Sequence, residues 1–284
     1  MNFVKDILRG ILIGIANAIP GVSGGTMMVS MGIYDKIIAS VTNITHQLKK
    51  SIKTLLPYAI GMGIGIVGLS FVIQFLFENY PVPTSLLFIG LILGGVPIML
   101  GKFKGKKIGA ANGIVFLFFF AFIFLLQWLN GKQTTDVTLT LSVVMAVRLF
   151  FVGVIAAATM VIPGVSGSMI LMILGFYTPV IEAITVTIKA LAGGDFGGVI
   201  HQCLILVPFG IGVLIGIYYV AKLIELLLRK QEGLTFSAIL GLIVASPFVI
   251  LMQTSISSLN LSSIVMSVIT FAAGFCVAYF LGRE

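Results

Sequence analysis

The sequence predicts an all-α polytopic membrane protein made of two inverted-topology repeats, each a re-entrant helical hairpin plus three transmembrane helices. Three observations carry that expectation. Of the 284 residues, 59% are hydrophobic and 9% charged, too few charges to coat a soluble globule of this size. The stretch Ile19-Pro20-Gly21-Val22-Ser23-Gly24-Gly25 returns as Ile162-Pro163-Gly164-Val165-Ser166-Gly167-Ser168, a shift of 143 positions. Each copy cuts an apolar run with a proline that lacks the N–H of a helix ladder and with glycines that release the backbone. At membrane depth such a break needs protein or a watery cavity around it.

The first repeat occupies residues 1–129. Lys5 and Arg9, the apolar run 7–16 and Ala16-Asn17-Ala18 imitate a secretory signal, but a signal has no reason to recur inside the chain, so this segment is expected to stay. Its hairpin is placed at 7–41, with a break at Pro20–Gly25; each arm is shorter than the roughly 20 residues of a full span. Spans are expected at 54–77, 84–100 and 108–129, and the polar segment 130–140 is read as a linker. The second repeat, 141–284, has a hairpin at 148–187 and spans at 203–228, 234–252 and 262–282. Gly32-x-Tyr34 is answered by Gly175-x-Tyr177, Pro57 with Gly61 and Gly65 by Pro208 with Gly212 and Gly216, and Gly90-Leu91-Ile92 by Gly241-Leu242-Ile243. This is an internal duplication.

A hairpin that returns to its own side adds no crossing and three spans add an odd number, so the second repeat is expected upside down relative to the first. Charge agrees with this arrangement. Of the 17 Lys and Arg residues, only Lys132, Arg148 and Lys189 then fall on one side, and the rich side is cytoplasmic by the positive-inside rule, giving N-in and C-in. The formal charge of +8 is thus read as orientation, with no nucleic-acid partner implied. Cys203 and Cys276 lie in apolar runs without Cys/His ligand spacing, so neither a disulfide nor a metal site is expected.

Inverted repeats with discontinuous helices place substrates near the midplane in many secondary transporters. Both tips read Gly-Val-Ser-Gly before an apolar helix, where backbone N–H groups and the helix dipole suit a phosphate or carboxylate. The candidate substrate-binding residues are Pro20, Gly21, Ser23, Gly24, Gly25 and Thr26 on one tip and Pro163, Gly164, Ser166, Gly167 and Ser168 on the other. Arg148, whose guanidinium suits phosphate oxygens, is added at the mouth of the second hairpin. Glu182, Asp35 and Arg9 are candidates for coupling or gating, because ionisable groups at depth tend to line pathways. Ser23 and Ser166 have no His within motif spacing and no carboxylate pair stands out, so an intramembrane enzyme is disfavoured. An anion channel or exporter built on the same tips stays open as an alternative.

Asn17-Ala18-Ile19-Pro20-Gly21-Val22-Ser23-Gly24-Gly25-Thr26, Gly32-Ile33-Tyr34, and the second-half copies 162–168 and 175–177 resemble the bacterial polyprenyl-phosphate transporter family over essentially the whole chain. The resemblance implies a translocase that recycles undecaprenyl phosphate from the outer to the inner leaflet of the bacterial cytoplasmic membrane for peptidoglycan and other wall-polymer synthesis. It implies no cofactor, with coupling to a proton or sodium ion as an expectation. Ser168 and Met169 stand where the first copy has Gly25 and Thr26, so the two tips need not bind equally. Oligomeric state is not readable.

Overall fold

A computed structural model describes residues 3–18, 23–105, 108–130, 137–254 and 260–282. Pro20 and Gly21 of the expected site lie outside the described residues, as do Lys106, Lys107, Lys132 and Arg283 of the charge count. The order is α1 (Phe3–Ala18), α2 (Gly24–Ser30), α3 (Tyr34–Thr42), α4 (Leu48–Asn79), α5 (Pro81–Gly101), α6 (Ala110–Asn130), α7 (Val143–Val161), α8 (Gly167–Ile173), α9 (Tyr177–Ala192), α10 (Phe196–Lys230), α11 (Glu232–Gln253) and α12 (Leu261–Gly282). Among the described residues there is no strand.

Six of these helices, α5, α6, α7, α10, α11 and α12, are long and apolar enough to cross a membrane. Five of them hold expected spans; the sixth, α7, is an arm of the expected second hairpin and at 19 residues is longer than a half-helix. The remaining expected span, 54–77, lies inside the 32-residue α4. Span limits therefore shift outward: α4 begins at Leu48 and α10 at Phe196, because Lys49, Lys50 and Lys53 in one helix and His201 in the other are tolerated in end turns beyond the apolar stretch.

The exit arm of each hairpin corrects the expectation more sharply. One helix was expected over 26–41 and one over 169–187; each is two, broken at Met31–Ile33 and at Leu174–Phe176. Gly32 at φ +67° and Gly175 at φ +74° occupy left-handed geometry that a side chain resists, and this ends α2 and α8 after seven residues each. The α8–α9 pair bends by 111° there.

Helix pairing follows the small residues. A Cβ at Gly61 would strike the carbonyl of Ile7, and one at Gly10 the carbonyl of Tyr58, so α1 and α4 pack backbone to backbone. In the second half Gly212 meets the carbonyl of Phe150 and Gly153 that of Phe209, joining α7 to α10 in the same register. Close approach of this kind is how helices gain dispersion energy where lipid removes the hydrophobic drive. The remaining four helices pair across the halves. Gly90 and Gly274 join α5 to α12, while Gly241 on α11 lies on the carbonyl of Phe116 on α6. Each half thus lends its last two long helices to the other.

The tips of the two hairpins and the cavity between them

Ser23 leads into α2 in extended geometry (φ −107°, ψ 131°), and Ser166 does the same before α8 (φ −90°, ψ 127°). Asn17, in the last turn of α1, accepts a hydrogen bond from the Gly24 N–H at 3.2 Å, and a Cβ on Gly24 would come within 2.6 Å of the Asn17 Oδ1. Only glycine lets that amide lie against the backbone.

The tips touch. The Gly164 N–H donates to the Thr26 hydroxyl at 2.7 Å, Thr26 itself being fully buried, and a Cβ on Gly25 would sit 3.2 Å from the Pro163 Cα. Gly164 has φ +82°, which turns its N–H across to the other hairpin. Tyr34 adds a bond from its hydroxyl to the Val161 carbonyl at 3.0 Å, satisfying an acceptor at the end of α7. Thr26 and Gly25 therefore serve as a clasp between hairpins.

Beside this clasp lies a cavity of about 300 Å³. Its polar patch is Asn17, Ser23, Ser166, Gly167 and Ser168; its walls are apolar, from Ala156 and Met160 of α7, Ile181 and Ile184 of α9, and Phe209 and Val213 of α10. Met160, Ile181 and Ile184 are exposed, so the apolar side of the cavity is open. The Ser166 and Ser168 hydroxyls lie 2.8 Å apart. Ser23 is buried, at 5% exposure, and its hydroxyl has no hydrogen-bond partner among the described residues. Such a group carries a desolvation cost of about 1–3 kcal/mol that an acceptor in the cavity would remove. With seven residues apiece, α2 and α8 supply short dipoles, so hydroxyls and the Asn17 amide provide most of the polarity.

The other expected residues are dispersed. Arg148 is exposed on α7, on the face that carries Phe151 and Ile155, and takes no part in lining the cavity. Glu182 lines a separate space of about 410 Å³ with Thr178, His201 and Gln202. Among the described residues no ion pair joins Glu182 to Arg148. Asp35 pairs with Lys102 at 2.8 Å on the surface, and Arg9 is buried against Asp6 at 3.2 Å. Asn17 and Tyr34 belong to the doubled motifs and Asp6 to the ionisable groups at the entry of α1, but the sequence names neither them nor Tyr58 as site residues. Asn17 does stand inside the doubled stretch, opposite Met160, and Asp6 is one helical turn from Arg9, which is the spacing that could have flagged each.

The fold and this cavity define a class: a polytopic helical membrane protein with serine hydroxyls gathered where the starts of α2 and α8 meet. The family model for undecaprenyl phosphate translocase-like proteins matches residues 13–263 and 189–283. A polyprenyl-phosphate transporter of Staphylococcus aureus is 32% identical over 281 residues, covering 98% of this chain and 95% of that protein. Another of the same name from Vibrio cholerae is 29% identical over 261 residues, covering 87% and 77%. No solved structure matches. The chain belongs to the undecaprenyl phosphate translocase-like family.

Proposed function

We propose that the protein carries a polyprenyl phosphate, undecaprenyl phosphate in particular, from the outer to the inner leaflet of the bacterial cytoplasmic membrane, for reuse in wall-polymer synthesis. The observation that carries this reading is the cavity itself: a buried Ser23 hydroxyl with no partner among the described residues, together with Ser166 and Ser168, and apolar walls that are open to their surroundings. A phosphate cannot leave water for an apolar space without donors, and an isoprenoid tail needs a surface that stays greasy to the bilayer. In this mechanism the serines and the Asn17 amide hold the phosphate, while the tail leaves past Ile181 and Ile184. An anion channel would call for a polar route along the whole path, and these walls speak against it.

The topology that serves this function is the inverted one, with both hairpins re-entrant and both termini cytoplasmic. Its support is the doubled packing register of α1–α4 and α7–α10, the exchange of α5, α6, α11 and α12, and the lopsided count of lysines and arginines. The family names of the relatives support the lipid class. The test is leaflet-resolved measurement of undecaprenyl phosphate in cells with and without the protein. Loss of the protein is expected to leave the lipid in the outer leaflet; an unchanged distribution would sink the proposal. Ser23→Ala and Ser166→Ala are each expected to weaken binding about ten- to a hundredfold, as for one lost donor to a charged group.

A further inference from the structure

The start of α1 carries a network of ionisable groups that the cavity does not use. Asp6 and Arg9 are buried at 2% and 1% exposure. One Asp6 oxygen accepts from Arg9 at 3.2 Å and from the Tyr58 hydroxyl at 2.7 Å; the other lies 3.4 Å from the Lys36 ammonium. Lys36 also donates to the Tyr58 hydroxyl at 3.1 Å, and Arg9 donates to the Leu281 carbonyl at the end of α12. Helix α1 is thus tied to α4 and α12, and α3 to α1 and α4. The ion pair of Asp35 with Lys102, next along α3, sets the network at the lysine-rich end of the molecule.

The corresponding positions of the second half carry none of these groups. A shift of 143 turns Asp6 into Leu149, Arg9 into Val152 and Lys36 into Pro179; the shift of 151 that relates Gly61 to Gly212 turns Tyr58 into Phe209. The matching helix pair, α7 and α10, packs there with Leu149, Val152 and Phe209 at these positions, so the packing of such a pair does not require the network. Burying ions is a poor way to gain stability when apolar residues fill the same place. At the position matching Lys36, Pro179 borders, with Glu182, a space of about 410 Å³.

We infer that Lys36 is the contact for the substrate's phosphate at the lysine-rich end, and that Asp6 is a built-in anion holding this gate closed until a phosphate monoester replaces it on Lys36. The inference rests on the translocation reading above. Lys36 is the member best suited to exchange: its side chain is 35% exposed and its link to Asp6 is the longest of the network. When it leaves, Asp6 keeps Arg9 and Tyr58, so no bare carboxylate remains buried. An ammonium on a flexible stem also suits a temporary handover better than a fixed guanidinium fork.

The test measures binding of farnesyl phosphate to the full-length protein in nanodiscs, beside thermal unfolding. Lys36→Gln is expected to weaken binding about tenfold, Lys36→Arg to restore most of it, and Asp6→Asn to tighten it several-fold by removing the competitor, on the scale of one charge-assisted contact. Should Asp6→Asn fail to fold, Tyr58→Phe keeps every charge, loosens the hold on Lys36 and is expected to tighten binding likewise. Opposite signs for Lys36→Gln and Asp6→Asn support the gate. A shift of both in one direction, tracking lost thermal stability, overturns it in favour of a structural brace. If the parent binds no farnesyl phosphate, the translocation reading itself fails; if Ser166→Ala weakens binding but Lys36→Gln does not, only the gate fails.

Discussion

Ser23 and Thr26 are three residues apart on one tip and meet different fates: the first hydroxyl is buried with no partner among the described residues, the second is spent on the Gly164 N–H. Thr26→Val is therefore expected to cost about 1 kcal/mol of stability, since it removes the partner of a half-buried N–H, whereas Ser23→Ala, which removes an unpartnered buried hydroxyl, should raise thermal stability and weaken lipid-phosphate binding. Parallel melting and binding curves on the two variants check this. Glycines at the tips separate similarly. A Cβ on Gly167 would meet the Thr159 hydroxyl at 3.3 Å, a contact that small adjustments absorb, while one on Gly24 must evict Asn17. Gly167→Ala should fold and transport at reduced rate; Gly24→Val should lose transport while the long helices stay folded. A Gly24→Val protein that binds undecaprenyl phosphate like the parent would remove Asn17 and Gly24 from the site. Arg148 faces outward, so Arg148→Ala is expected to leave farnesyl phosphate affinity unchanged and to slow capture from the bilayer, which stopped-flow uptake at low salt would detect.

At the scale of elements, the doubled proline and glycine stretch was legible because its residues break a helix for local reasons. The second break in each hairpin was less so. Gly32 and Gly175 look like the many other glycines of an apolar chain until their backbone is seen at positive φ. Alanine at either position should cost about 1–2 kcal/mol from left-handed strain alone. A matched loss of thermal stability in Gly32→Ala and Gly175→Ala would show that both bends are held in the ground state; no loss in either would mean that the α2–α3 and α8–α9 bends straighten freely. The charge network was legible only in part. Arg9 stood out as an ion in an apolar run, but Tyr58 is 52 positions from Asp6 and nothing local joins them.

For the molecule as a whole, repetition in the sequence fixes which helices correspond, and composition fixes that they sit in lipid. It does not say which helix packs on which, because nearly every face is apolar and partner choice rests on glycines meeting carbonyls across the chain. Orientation is open to a direct check. Single cysteines at positions 50 and 104, in a background without Cys203 and Cys276, are expected to label from the cytoplasm and to resist impermeant reagents added outside. Strong labelling of either from outside would rule out cytoplasmic termini.

The exchange of helices between halves bears on how the chain is made. Helix α5 ends at Gly101 and its partner α12 begins at Leu261, so 160 residues of synthesis separate them. At ordinary elongation rates of about 5–20 residues per second, α5 waits roughly 8–30 s with the glycine face of Gly90 and Gly94 unmatched. During that interval the ribosome-bound intermediate depends on lipid or an insertase to cover the face, and a ribosome stalled after α11 would leave a nascent chain whose first half is fully synthesised yet unable to close.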